Sequence, residues 1–381
     1  MNHINNTHII NGQYATAKVF APHADEAVLQ QIKVMANHPV AKDTTIRIMP
    51  DCHIGKGSTI GTTIQLPKDI SQWRVSPNVV GVDIGCGMYS VQLKSINVQR
   101  RELQQLDRVI KQHIPTGFKV HPSQSKVNNV AEVKETLQGL HMPLTSSLYD
   151  RLVRSSGTLG SGNHFIELTQ AEDDSYWLTI HSGSRNLGVQ VAEYHQQKAH
   201  QMTQSDQRDL DYLTDEPLMH YLNDVQVAQH FAYLNRKGMI ETILDHMGWE
   251  QVDQFDSIHN FVDAKEGIIR KGATSARKDE RLLIPLNMKE GSIIASGLGN
   301  EEWNYSAPHG AGRLMSRTQA RKHLKINEFQ QMMKGIYSTS INRKTLDEAP
   351  LAYKPKEWIL DEIAPTATIL QTLTPRYNFK G

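Results

Sequence analysis

A chain of 381 residues that is 39% hydrophobic and 21% charged has the composition of an ordinary soluble protein, long enough to hide roughly 75% of its unfolded surface. A net charge of +1 gives no global field to recruit nucleic acid, so an anionic substrate must meet a local basic cluster. Two cysteines exclude a disulfide scaffold and a Cys₄ zinc site and fit a reducing cytoplasm. No apolar run reaches the roughly 18 residues of a membrane span, and Met1 to Asn6 hold no apolar signal core.

Residues 24–38 read as an amphipathic helix, with Ala27, Val28, Ile32 and Met35 at helical spacing. A strand from Thr44 to Met49 runs into a loop, Pro50 to Gly61, that gathers Asp51, Cys52, His53 and Lys56 among glycines. The spacing is not that of a phosphate-binding P-loop. Cys52 reads as a core thiol rather than a ligand, and His53 as an orienting or loop-stapling residue.

The chain is organised around Val79 to Met88, read as a buried β-strand that breaks into Gly85 and Gly87 on either side of Cys86. Glycine lets the backbone turn sharply, so Asp83 and Cys86 can point at one spot. A carboxylate with a thiolate suits a divalent transition metal better than Mg²⁺. A buried small thiol in a tight turn satisfies this stretch equally well. Further ligands would have to be histidine or carboxylate. A second strand follows, Met88 to Leu93.

Residues 101–154 are helical in pattern, with Leu103, Leu106 and Ile110 on one face and a polar loop at Gly117 to Asn129. A glycine-rich loop, Ser155 to Gly162, then leads through Asn163 and His164 into a strand. Another strand, Trp177 to Ile180, ends in His181 and runs on to Gly188. Both histidines stand where loop meets strand, repeating the placement of Asp83 and Cys86, and together the four favour a metal.

Residues 190–206 and 218–248 read as helices, whose His195, His200, His220 and His230 are packed or solvated. An extended run, Ser257 to Val262, carries His259. Arg270 to Ala276 reads as a small, basic, anion-contacting turn. His309 is followed by Gly310, Ala311 and Gly312, which leave space for a bulky group. Arg313 and Arg317 then fall one helical turn apart if a helix begins there. A histidine beside two arginines suits a nucleophile or acid–base group working on phosphate; a helix start with incidental charges is the other reading. No repeat or linker interrupts the chain, so one continuous mixed α/β (α+β) domain, residues 1–381, with a helical insertion is expected.

Together these stretches resemble the RtcB-type RNA ligases. The resemblance is carried by Met49 to His53, Gly81 to Gly87, Gly160 to Glu167, His181 to Gly188, His259-Asn260, Arg270 to Ala273, His309 to Arg317, Glu348 to Lys354 and Lys380-Gly381, nine stretches in order. It implies central β-sheets with ligand-bearing loops, and an enzyme that joins an RNA 3′-phosphate or 2′,3′-cyclic phosphate to a 5′-hydroxyl with GTP and Mn²⁺, in RNA repair or tRNA splicing. On that pattern Asp83, Cys86, His164, His181 and His259 hold two manganese ions, and His309 becomes guanylylated. Asn163, Phe165, Glu167, Ser292, Gly310, Ala311, Gly312, Tyr353 and Lys380 surround the nucleotide. Arg185, Arg313 and Arg317 face phosphate or RNA, and Asp51 and His53 support the site from behind.

The chain departs from the family at Leu286-Asn287-Met288-Lys289, where Asn287 replaces an expected hydroxyl near the nucleotide. A shorter, divergent member is implied, with the need for an activating protein left open. Two other readings are a metal-dependent phosphoesterase acting on RNA ends and a non-catalytic RNA-binding homologue. The first leaves His309, Glu167 and Lys380 unexplained, and the second predicts decay of a site whose residues are all present. No Lys-x-Asp-Gly occurs in the chain, against a lysine-nucleotidyl ligase.

Overall fold

The computed structural model describes residues 7–381, so the first six residues, read above as lacking a signal core, lie outside it. The amino-terminal strands are β1 (His8–Asn11), β2 (Thr16–Val19), β3 (Thr45–His53), β4 (Ile60–Gln65) and β5 (Gly87–Leu93). The middle of the chain gives β6 (Phe165–Ala171), β7 (Tyr176–Ser182), β8 (Gln251–Ile258), β9 (Asn260–Asp263) and β10 (Ile268–Lys271). The last are β11 (Ala273–Ser275), β12 (Arg281–Asn287), β13 (Gly291–Gly297), β14 (Ser306–Pro308) and β15 (Ala367–Lys380).

They form two sheets and a ribbon. The first sheet, β1-β2-β3-β4-β10-β9, is antiparallel except where β2 meets β3. The second, β12-β13-β15-β6-β7-β5-β8, is antiparallel throughout. Its two edges curl together: Arg281 on β12 pairs with Asp253 on β8, and Leu283 N donates to Ser257 Oγ at 3.4 Å. The β11–β14 ribbon touches strands of both sheets.

The helices are α1 (Glu26–Ala36), α2 (Pro77–Val80), α3 (Arg100–His113), α4 (Val130–Gln138) and α5 (Ser146–Ser155), then α6 (Asn186–Thr203), α7 (Asp215–Met247), α8 (Arg317–His323), α9 (Ile326–Met332) and α10 (Lys356–Ile363). Asp25 caps α1 by accepting from Val28 N at 2.9 Å, and Val28, Ile32 and Met35 are buried as the spacing requires, whereas Ala27 is exposed. The helical insertion resolves into α3, α4 and α5 around the expected polar loop. At 33 residues, roughly 50 Å, α7 joins two cores. Its Val225 and Phe231 pack with Ile46, Ile64 and Val79 of the first, and its Met239, Ile240 and Ile243 with Leu168, Leu178 and Ile180 of the second.

The fold is mixed α/β as expected, but three local expectations are corrected. Val79 and Val80 are not in a strand; they end α2, where Pro77 sits in the first turn with φ already set for a helix. Asp51, Cys52 and His53 are not in a loop but continue β3, which stays extended through a register shift against β4 between Ile48 and His53. Arg270 and Lys271 form no anion-contacting turn. Both are buried in β10, where Arg270 donates to Ser306 Oγ at 2.8 Å, and Lys271 donates to the carbonyls of Lys56, Ser58 (3.1 Å) and Asn78 (2.8 Å). Among the described residues, no helix is long and apolar enough to cross a membrane.

Candidate active site

The register of the second sheet assembles the site. Phe165 lies opposite His181 on one side and Lys380 on the other, Glu167 lies opposite Asn378, and Gly87 lies opposite both Ser182 and Ile258. One end of the sheet therefore collects Cys86 before β5, His164 before β6, His181 near the end of β7 and His259 after β8. Residues far apart in sequence meet because alternating strands begin and end there.

Their donor atoms converge. Cys86 Sγ lies 3.6 Å from His164 Nε2 and 3.3 Å from His181 Nε2; His164 Nε2 lies 3.2 Å from Asp83 Oδ2, and His181 Nε2 3.3 Å from His259 Nε2. Two triads result, Asp83–Cys86–His164 and Cys86–His181–His259, and they share the thiol. The backbone demands a glycine beside them: a Cβ on Gly183 would stand 2.0 Å from Asp83 Oδ1.

This donor set fits divalent transition-metal ions. His164 Nδ1 lies 2.9 Å from Leu159 O and His181 Nδ1 3.2 Å from Asn163 O; a carbonyl only accepts, so the proton belongs on Nδ1 and Nε2 keeps its lone pair. Burial, with positive neighbours, holds His181 and His259 far below the usual imidazole range, so both stay neutral. Neutral Nε2 atoms facing each other at 3.3 Å repel unless a cation or proton lies between them. Burial opposes charge on Asp83, but the His164 contact prevails and holds its carboxyl down to about 2. Burial and Asp83 push the Cys86 thiol up, and coordination reverses that, because a metal-bound thiol is deprotonated.

A brace the sequence did not disclose stands behind the triads. Arg236 on α7, fully buried, donates to Gly85 O at 2.7 Å and Ser182 O at 2.8 Å, and pairs with Asp256 at 3.0 and 2.8 Å. Each carbonyl belongs to a neighbour of a residue of the triads, Cys86 or His181. Asn235 adds bonds to Ser182 Oγ (3.1 Å) and Gly183 O (3.0 Å). A charged pair inside a helical pattern reads as a solvated face until burial is known.

The triads open into a cavity of about 330 Å³. Asp83, Cys86, His181 and His259 line it, as do Asn163, Phe165, Glu167, Ser292, His309 to Gly312, Tyr353, Lys380, Arg313, Arg317 and His53. His164 stands behind Cys86, and Asp51 behind His309. Cys52 packs against the core instead, with its thiol pushed up to about 12 by burial and by Asp51.

His309 ends the β14 turn, with Asp51 Oδ2 2.6 Å from its Nδ1. Burial lowers its pKa, but the Asp51 charge and a backbone group of Gly272 together raise it above the ordinary value. Gly272 needs to be glycine: its φ is +64°, and a Cβ there would collide with Ile60 and crowd the His309 ring.

Arg313 and Arg317 line the cavity without the expected helical spacing. Ser316 caps α8, so the helix starts only at Arg317, while Arg313 bridges to Tyr353 in extended backbone. Arg313 donates to Tyr353 Oη at 3.1 Å and reaches Glu348 at 3.4 Å. Glu348 also takes Lys380 Nζ at 2.8 Å and Tyr353 Oη at 2.8 Å. Burial would raise this carboxyl, but Lys380, Tyr353 and Arg313 hold it down to about 2. Arg185 lies outside the cavity lining, donating to Gly117 O at 3.0 Å and Thr158 Oγ1 at 3.1 Å.

Asn287 closes its own turn. Its Oδ1 accepts from Lys289 N and Glu290 N, both at 3.0 Å, and its Nδ2 donates to Glu290 at 2.8 Å. The departure from the family pattern therefore closes the β12–β13 hairpin, and Leu286, Asn287 and Met288 also line the cavity.

A family model described as tRNA-splicing ligase RtcB matches residues 31–381. The chain belongs to the RtcB family. It is 33% identical over 372 residues to the RNA-splicing ligase RtcB of Escherichia coli K12, covering 88% of this chain and 90% of that protein. The tRNA-splicing ligase RtcB of Aeropyrum pernix is 29% identical over 430 residues, covering 90% of this chain and 88% of its own length. That of Archaeoglobus fulgidus is 27% identical over 426 residues, covering 88% and 87%. In this RtcB-family member each of the nine stretches of the resemblance gives at least one residue to the cavity lining, while Arg185, Arg270 and Lys271 lie outside it.

Proposed function

We propose that this protein is an RNA ligase that uses GTP and Mn²⁺ to join an RNA 3′-phosphate or 2′,3′-cyclic phosphate end to a 5′-hydroxyl end, in RNA repair or tRNA splicing. The observation that carries the reading is one cavity into which two donor triads sharing Cys86 and an Asp51-backed His309 all open.

Asp83, Cys86 and His164 would hold one ion, and Cys86, His181 and His259 the other. When bound, such ions neutralise phosphoryl charge, on which phosphoryl transfer chiefly depends. The Asp51 carboxylate, 2.6 Å from Nδ1, favours a proton there and leaves Nε2 with its lone pair. That nitrogen attacks the α-phosphorus of GTP, the bond to the β-phosphate oxygen breaks, and pyrophosphate leaves. A 2′,3′-cyclic end is first opened by water, the phosphorus–O2′ bond breaking to give the 3′-phosphate; an oxygen of that phosphate then attacks the guanylyl phosphorus, the phosphorus–nitrogen bond breaks and the histidine is freed. Finally the RNA 5′-hydroxyl attacks the 3′ phosphorus and GMP departs, leaving a phosphodiester.

Phe165 and Tyr353 offer aromatic walls for a base, and Glu167, Ser292, Asn163 and Lys380 polar contacts around it. Arg313 and Arg317 offer cations to RNA or nucleotide phosphate, with Arg185 a further basic group near the metal-facing loops. The chain acts in the cytoplasm, as its free thiols suit, and folds as a single unit. Incubation with α-labelled GTP and Mn²⁺ tests the reading: a covalent GMP adduct, acid-labile and base-stable, is expected, and its absence from active, metal-loaded protein would refute the histidine route.

A further inference from the structure

Three buried polar atoms on one wall of the cavity have no hydrogen-bond partner: Glu167 Oε1, Asn378 Oδ1 and Ser292 Oγ. Their residues are 3%, 1% and 1% exposed, so water does not serve them as it would a surface group. An unpartnered polar atom so deeply buried is costly, so the wall is a waiting contact surface, most of all at Asn378 Oδ1, since Ser292 lies near enough to Glu167 to lower its carboxyl.

The arrangement has a direction. Glu167 and Asn378 are directly opposite on β6 and β15, so their side chains share a sheet face. Asn378 Nδ2 donates to Glu167 Oε2 at 2.9 Å. Only the amide nitrogen can donate to a carboxylate, so Oδ1 is fixed as the atom left over. The wall therefore presents two acceptors from neighbouring residues, Oε1 and Oδ1, beside a hydroxyl that can donate or accept.

We infer that Asn378 is a specificity-determining residue for the nucleobase, its Oδ1 accepting a hydrogen from the exocyclic 2-amino group of guanine while Glu167 accepts from the same edge. This rests on the nucleotide reading above. Guanine offers an N1–H and a 2-amino group side by side, three hydrogens for the two residues. Adenine brings a lone pair at N1 and no amino group at C2, and hypoxanthine lacks the 2-amino group and would leave Asn378 Oδ1 buried and unpaired. A site built to bond a group rejects the analogue that lacks it. Asn378 lies outside the stretches that carry the family resemblance, two residues before Lys380, and Asn287, the polar departure visible in the sequence, lines the cavity with its Oδ1 already taken by its own turn.

The test compares formation of the covalent nucleotide adduct from GTP and from ITP, in the wild-type protein and in Asn378→Ala and Asn378→Ser. Wild type is expected to reach half-saturation with GTP at a concentration about tenfold or more below that for ITP. In both variants that ratio should fall several-fold, mainly through weaker GTP use, with the adduct from ITP at saturation showing that the protein is folded. A wild-type protein that uses ITP as well as GTP would overturn the assignment without any variant. Variants that weaken both nucleotides equally would also overturn it, reducing Asn378 to a support for Glu167. A wild type that is labelled by no nucleotide would refute the underlying reading and the assignment with it, an outcome distinct from the other two.

Discussion

Asp51 Oδ2 and His309 Nδ1 lie 2.6 Å apart, joining the end of one sheet's β3 to the turn that carries the proposed nucleophile. A carboxylate that close favours the tautomer with its proton on Nδ1 and Nε2 free, although the contact is not aligned as a hydrogen bond. It also raises the imidazole pKa, despite the burial that would lower it.

That contact sets a pH dependence. A raised pKa means His309 stays protonated to higher pH, and the protonated ring cannot attack phosphorus. Adduct formation should therefore fall as pH drops through a midpoint above the ordinary histidine value. Asp51→Asn should move this acid limb to lower pH. It should also cut the rate on the alkaline plateau on the order of 10³-fold, because an amide can donate to Nδ1 and drive the proton to Nε2. A single-turnover pH profile with an unshifted limb would contradict the role given to Asp51.

Metal stoichiometry should follow the sharing of Cys86. Cys86→Ser removes a donor from both triads and should reduce bound Mn²⁺ from two ions towards none, since a neutral hydroxyl is a far weaker ligand. His259→Ala and His164→Ala each damage one triad and should leave one ion. Cys52→Ser should retain both. Titration calorimetry with elemental analysis of dialysed protein reads these counts; equal stoichiometry in Cys86→Ser and Cys52→Ser would remove Cys86 from the centre.

The Arg236 brace should matter for stability as well as for the site. Arg236→Met leaves the buried carbonyls of Gly85 and Ser182 without their donor, which costs about 2 kcal/mol or more, while the solvent-exposed Asp256 is rehydrated. Urea unfolding of the metal-free protein should show that loss, and Mn²⁺ affinity should fall although no ligand is changed. A variant as stable as wild type would mean that the two loops hold their positions without Arg236.

What the sequence disclosed, and what it hid, follows from where partners lie. Cys86, His164, His181 and His259 were legible because each stands at a strand end beside glycine or a loop, and antiparallel strands bring such ends together. Arg270 and Lys271 misled as a basic turn because the carbonyls and hydroxyl that absorb them belong to Lys56, Ser58, Asn78 and Ser306, remote in sequence. Arg236 was silent for the same reason, its burial being set by two loops far from α7. The Val79-Val80 pair shows the limit of β-branched runs as a strand signal: Pro77 began a helical turn that apolar content alone could not disclose. Asn378 gave no sign because one polar residue in a long strand is unremarkable until its cross-strand partner is known to be Glu167.

The proposal that the chain folds as one unit is checked by limited proteolysis. The long helix α7 shares side chains with both cores, so cleavage should yield no pair of independently stable, separately active halves. Recovery of two such fragments, one bearing Asp83 and the other His309, would contradict it.

The most direct measurement mixes an RNA bearing a labelled 3′-phosphate, a second RNA with a 5′-hydroxyl, GTP and Mn²⁺ with wild type and with His309→Ala. Wild type should give a joined product that retains the original 3′ phosphate, with GTP consumed. His309→Ala should give neither the adduct nor joining, should still bind two Mn²⁺, and should still seal RNA whose 3′ end already carries GMP. Release of the phosphate to leave a free 3′-hydroxyl with no GTP consumed would mark a metal-dependent phosphoesterase and contradict the ligase account.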